Sequence, residues 1–204
     1  TPAPLRPFLD YGWAVLGIEI VKVLRLQGDK IVVGMTLGPQ ALGLYFMAFN
    51  AGLSLSNAFA TAFSTVLFPH LSQSNDPGAA MRQSVIIGLA LIAPVVILQS
   101  VLAPFYVPVL LGDGWEEVAP LVSILCLVAI PTTLWATAAG WLRVQGKPQV
   151  ELWMTTALAV AVLASTVLLA PFGLFAMAVG YLAVTGGLML LASFATLHTD
   201  LFPT

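Results

Sequence analysis

Six apolar stretches dominate the chain, over residues 8–37, 41–68, 84–111, 118–142, 150–170 and 174–197. A helix crossing a bilayer needs about 20 predominantly apolar residues, and each stretch supplies them. Turn chemistry fills the breaks: Gly38-Pro39, Ser74-Asn75-Asp76-Pro77-Gly78, Gly112-Asp113-Gly114, Gly146-Lys147-Pro148 and Pro171-Phe172-Gly173. No alternation of apolar and polar residues persists for the roughly ten positions of a membrane β-strand. The expected fold is all-α, a single polytopic membrane bundle of six transmembrane spans over residues 1–204. Composition excludes the other classes. Charged residues make up 8% of the chain and hydrophobic ones 59%, against about 25% charged in a soluble domain. Disorder needs the opposite balance. A net charge of −2 gives no footing for nucleic acid, and the lone Cys126 rules out a disulfide framework.

Lys and Arg in the connections set the orientation. Arg6 precedes the first stretch, Arg82 lies between the second and third, and Arg143 and Lys147 lie between the fourth and fifth. The other connections have no base, and one carries only Asp113, Glu116 and Glu117. Basic loops thus alternate with non-basic ones, which places both ends of the chain on the cytoplasmic side. The chain opens at Thr1 with no initiator Met and no signal-peptide pattern, and it stops soon after an apolar stretch. The expectation is a fragment of a longer protein.

Charge in the first stretch is the sharpest local signal. Glu19, Lys22, Arg25 and Asp29 are spaced three, three and four apart, with Lys30 following. At about 100° per residue the first four share an arc of roughly 120°. A charge at the bilayer centre costs about 2.5–3.5 kcal/mol on insertion scales, so this face is expected to avoid lipid. Glu19–Lys22 and Arg25–Asp29 are placed to pair along the helix. One reading is a cavity wall, in which Lys22 and Arg25 attract an anionic group and Glu19 or Asp29 takes a coupling cation or proton. The other is an interfacial segment with its charges among headgroups. The second stretch carries an uncharged polar stripe, Asn50, Ser54, Asn57, Thr61, Ser64 and Thr65. Such residues glue helices together or line an aqueous path, and the charged neighbour favours a shared hydrophilic cavity.

Smaller features have plainer expectations. Gly34 and Gly38 form a GxxxG spacing suited to close helix approach. Pro94, Pro104, Pro108 and Pro131 predict kinks or a broken helix end. Trp115, Trp135, Trp141 and Trp153 read as interfacial anchors, His70 as structural and Cys126 as a small core residue. HExxH, GxxxxGK[ST] and GxGxxG are absent. With only His70 and His198, no Ser/His/Asp set forms. No enzyme activity, metal or cofactor is expected.

The order D-K-I-V-V-G-M-T-L-G-P-Q-A-L-G-L-Y from Asp29 to Tyr45, then T-V-L-F-P-H-L-S ending at Ser72, closely resembles the polysaccharide flippases of the MOP exporter superfamily, the Wzx-like and colanic-acid-exporter-like proteins. Pro108 to Trp115 (P-V-L-L-G-D-G-W) and the Gly146-Lys147 loop look similar too. Members have about twelve to fourteen spans in two similar halves, and this chain resembles the C-terminal half. The resemblance implies movement of an undecaprenyl-pyrophosphate-linked oligosaccharide across the bacterial inner membrane for polysaccharide or lipopolysaccharide biosynthesis. Its implied partners are that lipid-linked substrate, membrane lipids and a missing N-terminal half. It further implies that Lys22 and Arg25, with Lys30 outside the arc, contact the anionic head. Asn50, Ser54, Asn57 and Thr61 would face the sugar. The stripe holds two acids beside two bases, so the other half must add positive charge. The alternative is a multidrug or metabolite exporter of the same superfamily, which should instead show an apolar, acid-dotted pocket. A membrane polymerase or ligase would need a long outer loop, and no connection here is long enough. A purely structural membrane subunit would tolerate loss of Lys22 and Arg25.

Overall fold

A computed structural model describes residues 5–74, 76–112 and 114–201, with side chains described at all of them except 5–10, 55, 56, 68, 70–72, 77 and 198–201. Arg6, His70, Asp113 and His198 therefore lie outside the described side chains. The regular elements among the described residues are all helical: α1 (Leu5–Gln73), α2 (Pro77–Leu111), α3 (Val118–Leu125), α4 (Ala129–Val144), α5 (Pro148–Leu169) and α6 (Leu174–Leu201). Short 3-10 turns at Cys126–Val128 and Ala170–Phe172 complete them. Five helical stretches are long and apolar enough to cross a membrane: Tyr11–Leu67, Gly78–Leu111, Val118–Val144, Pro148–Phe172 and Leu174–Leu197.

The loop expected at Gly38-Pro39 is a single-residue bend. Helix α1 runs for 69 residues with one non-helical position, Gly38, at φ 85° and ψ 177°. That backbone region is essentially open to glycine alone. Pro39 restarts the helix at once, since the first helical position needs no N–H donor. The bend is sharp. Asp29 and Tyr45 are 16 residues apart, which is about 24 Å along a straight helix, yet the Tyr45 hydroxyl donates to Asp29 Oδ2. The two arms, residues 5–37 and 39–73, thus fold back on one another. Gly34 lets them close, for a Cβ there would meet Leu42 at 3.1 Å. The Gly34/Gly38 spacing serves this bend, not a crossing between separate helices.

Contacts give the direction of each segment. Gly17 lies against Leu152 and Gly28 against Leu163, so the first arm runs parallel to α5. The first arm therefore stands with the bundle and does not lie across its end. Gly52 packs against Leu125 and Gly140 against Leu67, so the second arm runs parallel to α3–α4. A Cβ at Gly52 would come within 2.9 Å of Leu125 Cβ, which explains the glycine at that crossing. Helix α2 is antiparallel to the second arm, with Gln99 donating to the Ala51 carbonyl at 3.2 Å and Gly88 beside Phe63. Helices α5 and α6 are antiparallel through Leu169 and Gly180. One apolar cluster, including Val33, Phe49, Leu53, Val122, Trp135, Val162 and Met177, joins residues from every one of these helices. Outward, Leu91, Phe105, Val160, Leu168 and Leu191 are exposed, as expected where hydrocarbon is the solvent.

Three expectations are corrected. Of the kinks or broken end expected at Pro94, Pro104 and Pro108, the break does not occur: α2 is continuous, and each proline removes one backbone hydrogen bond, a loss that membrane helices absorb locally. Trp135 is no interfacial anchor but a buried core residue, whereas Trp153 is exposed. Helix α2 begins at Pro77, ahead of the apolar run, because Asp76 caps it by accepting from the Ala79 N–H at 3.0 Å. Pro131 does interrupt its span: the 3-10 turn at Cys126–Val128 contains Leu127, whose carbonyl would otherwise receive the missing donor. Cys126 is buried.

Candidate functional site

The charged stripe of the first arm divides into two environments. Exposed apolar residues Trp13, Leu16, Ile20, Val23, Leu24 and Ile31 occupy the side opposite Asp29 at about 100° per residue. On the other side Asp29 is only 2% exposed. It accepts hydrogen bonds from Tyr45 in the second arm and from Thr166 Oγ1 in α5, the latter at 2.5 Å. Tyr45 packs tilted against Phe49, 4.2 Å between centroids, and Phe49 meets Tyr181 of α6 edge-on at 4.9 Å. Asp29 thereby ties both arms of α1 to α5, with an aromatic wall reaching α6.

The Arg25–Asp29 pair expected along the helix does not form. Asp29 is engaged by the two hydroxyls, and Arg25 Nε and Nη1 are buried without a hydrogen-bond partner. The Glu19–Lys22 pair does form, at 2.8 Å. Glu19 also lies 4.0 Å from Arg143 Nη2. Arg143 in turn binds Glu151 through Nε and Nη2, both at 2.7 Å. Glu151 is 1% exposed, so this bidentate pair pins the α4–α5 hairpin and draws the first arm toward it. Lys30 points elsewhere. It sits 4.9 Å over the Phe46 ring across the bend, at a shallow groove shared with Gln27, Met35, Pro39 and Leu42.

The second arm presents its polar stripe outward. Asn50, Ser54, Asn57, Thr61, Ser64 and Thr65 are all exposed. Asn50 donates to the Phe46 carbonyl, Thr61 to that of Asn57 and Thr65 to that of Thr61, each at 2.8 Å and each within the same helix. Among the described residues none of the six bonds to another helix. The opposite side of this arm, Tyr45, Ala48, Phe49, Leu53 and Leu67, is the one buried in the bundle.

Tyr45, Thr166, Arg143 and Glu151 are the polar groups that reading the stripes overlooked. A signal for two of them was present. Arg143 and Glu151 flank the Gly146-Lys147-Pro148 turn, and an acid just inside an apolar helix calls for a partner.

A family profile described as polysaccharide biosynthesis protein matches residues 3–120, more than half of the chain. The chain belongs to that family. Among curated relatives of the same naming, the amylovoran biosynthesis protein AmsL of Erwinia amylovora is 24% identical over 160 residues, covering 76% of this chain and 41% of AmsL. The lipopolysaccharide biosynthesis protein WzxC of Escherichia coli K12 is 23% identical over 132 residues, 63% of this chain and 27% of WzxC. The teichuronic acid biosynthesis protein TuaB of Bacillus subtilis 168 is 20% identical over 147 residues, 70% of this chain and 30% of TuaB. The chain thus spans less than half the length of these relatives. No solved structure matches it. Its long apolar helices and its family make it a multi-pass membrane protein.

Proposed function

We propose that this chain is the C-terminal half of a flippase that moves a lipid-linked oligosaccharide across the bacterial inner membrane. In this reading each arm of α1 is a span of its own, which gives six crossings with both ends on the cytoplasmic side. The observation that carries the reading is the uncovered polar stripe of the second arm. Six amide and hydroxyl residues line one outward side of a bilayer-length helix. Asn50, Thr61 and Thr65 bond back to their own helix, and each polar group left unpaired in hydrocarbon costs about 1–3 kcal/mol on protein scales, so a row of six facing lipid is unfavourable. A hydrophilic cavity closed by a second bundle gives them water and sugar hydroxyls to bind.

In this reading Asn50, Ser54, Asn57 and Thr61 face the sugar. Lys22 and Arg25, with Lys30 toward the outer end, attract the pyrophosphate. Carrying that head through hydrocarbon unaided means stripping its hydration, and the cavity substitutes for the lost water. Rocking of two bundles around the cavity alternates its access. Glu19 and Asp29 are the acids available to couple that movement to a cation or proton.

Complementation tests this. In cells lacking the full-length protein, the wild type restores surface polysaccharide. Combined Asn50→Leu and Asn57→Leu substitutions, which suit a lipid-facing helix, are expected to abolish the restoration while the protein still reaches the membrane. Full restoration by that variant would remove the cavity from the account.

A further inference from the structure

The two arms of α1 present unlike surfaces to the outside, and a cation stands on the line where they meet. On the first arm Leu16, Ile20, Val23 and Leu24 are exposed, and all lie within roughly 60° of Gln27 at about 100° per residue. On the second arm Pro39, Phe46, Asn50 and Asn57 share an arc of roughly 40° by the same count, and Asn50 donates to the Phe46 carbonyl. Between these surfaces runs the groove at the bend, about 430 Å³ in volume, walled by Gln27, Lys30, Ile31 and Met35 on one side and by Pro39 and Leu42 on the other. Lys30 Nζ reaches across to lie 4.9 Å over the Phe46 ring. Among the described residues Lys30 has no ion pair, for its neighbour Asp29 is taken by Tyr45 and Thr166.

Depth suits a lipid phosphate. Lys30 is eight residues from Gly38, about 12 Å along the helix. The first arm, residues 5–37, rises about 50 Å, against a hydrocarbon core of about 30 Å. In a bilayer centred on that arm, Lys30 stands at the hydrocarbon edge on the Gly38 side, with a stem long enough to carry its ammonium toward the headgroups. From this level toward the membrane centre the first arm continues apolar and the second continues polar. A ligand that matches the sequence of surfaces has three parts: a hydroxyl-rich chain, an anionic junction and a hydrocarbon chain. A lipid-linked oligosaccharide has them in that order. A phospholipid has no chain of hydroxyls for the stripe beside Phe46.

We propose that the groove at the bend is where the lipid-linked substrate docks in the leaflet on the Gly38 side, with its hydrocarbon tail lying outside the bundle along Leu24, Val23, Ile20 and Leu16. The diphosphate rests on Lys30, a point-charge phosphate binder, and the saccharide turns onto the stripe that begins at Asn50. The groove has room for the diphosphate and the first isoprene units, and the rest of the tail follows the apolar side of the first arm. The second arm thus holds the sugar and the first arm holds the tail, with Lys30 at the seam. This rests on the flippase reading and adds to it the path of the tail and the side of the membrane.

Photolabelling of the purified full-length protein in nanodiscs tests it. The probe is a synthetic polyprenyl diphosphate oligosaccharide with a diazirine on its second isoprene unit. The comparison probe is phosphatidylglycerol with a diazirine on one acyl chain. The first probe is expected to label residues 20–31 several-fold more than the exposed apolar residues Val160, Leu168 and Leu191 of α5 and α6. Lys30→Met is expected to remove that excess and Lys30→Arg to keep most of it. Even labelling of all these helices in the wild type would overturn the proposal, and so would an excess that survives Lys30→Met. An equal excess with phosphatidylglycerol, equally dependent on Lys30, would also overturn it, because the groove would then be a general anionic-lipid site. Labelling needs no translocation, so the two readings fail separately. Even labelling by a protein that still translocates its substrate removes the groove alone, whereas Lys30-dependent excess labelling without translocation keeps the docking site and removes the flipping.

Discussion

Arg143 holds Glu151 through two hydrogen bonds of 2.7 Å, and Glu151 has almost no solvent contact. Removing the guanidinium strands a buried carboxylate, which costs about 3–5 kcal/mol. Arg143→Ala is expected to lower thermal stability in detergent by that order, and Arg143→Ala with Glu151→Ala by clearly less. A double-mutant cycle with no coupling between the two would contradict the pairing. Asp29 sets a milder case. Tyr45→Phe and Thr166→Val each withdraw one of its two donors, for about 1–3 kcal/mol apiece. Because both act on one carboxylate, their combined loss is expected to differ from the sum in the same assay. At this scale the sequence showed which residues are polar but not which partners they choose. Arg25–Asp29 has the right spacing for a helix pair, yet two hydroxyls from other segments take the carboxylate. Spacing along one helix cannot report a neighbour that arrives from 137 residues away, as Thr166 does.

Among the elements, α1 depends most on one backbone position. Gly38 at φ 85° and ψ 177° holds a conformation that costs a residue with a Cβ about 1–3 kcal/mol. Gly38→Ala is expected to destabilise the protein by that amount, while Gly43→Ala, with open space around its Cβ position, should be near neutral. Melting temperatures of the two variants check this, and equal effects would contradict it. The bend was legible as a break, since Gly38-Pro39 is turn chemistry, but its length was not. Pro39 can open a helix as readily as it ends one, so hydropathy leaves a gap where the chain needs a single residue. Stretch limits elsewhere moved for a related reason. Asp76 and Pro77 start α2 by capping, before apolar character begins. The prolines of α2 show the converse limit, for a local rule of helix breaking yields when the surroundings hold the helix together.

For the molecule as a whole, asymmetry of the surface matters more than any contact. Helices α2, α5 and α6 expose Leu91, Phe105, Val160, Leu168 and Leu191, side chains suited to lipid. The second arm of α1 exposes a row of amides and hydroxyls beside Phe46 and Val66. The stripe was legible at its helical spacing, and its lack of partners on other helices needed the three-dimensional packing. The first arm was read less completely. Its ionic side opposes its apolar one as the spacing predicts, but Asp29 and part of Arg25 are drawn inside the chain, leaving Glu19 and Lys22 as the charges most open to the outside. The relatives carry more than twice the aligned length, which is room for the second bundle that the proposal requires.

The most direct measurement is translocation by the purified full-length protein. Liposomes holding a lipid-linked oligosaccharide on both leaflets are given an ion gradient and an external glycosidase. Digestion in protein-free liposomes stops once the outer leaflet is consumed. With the wild type it is expected to run to completion, and with Asn50→Leu and Asn57→Leu combined to stop where the protein-free sample does. A wild-type sample that halts at the outer-leaflet pool would contradict the account.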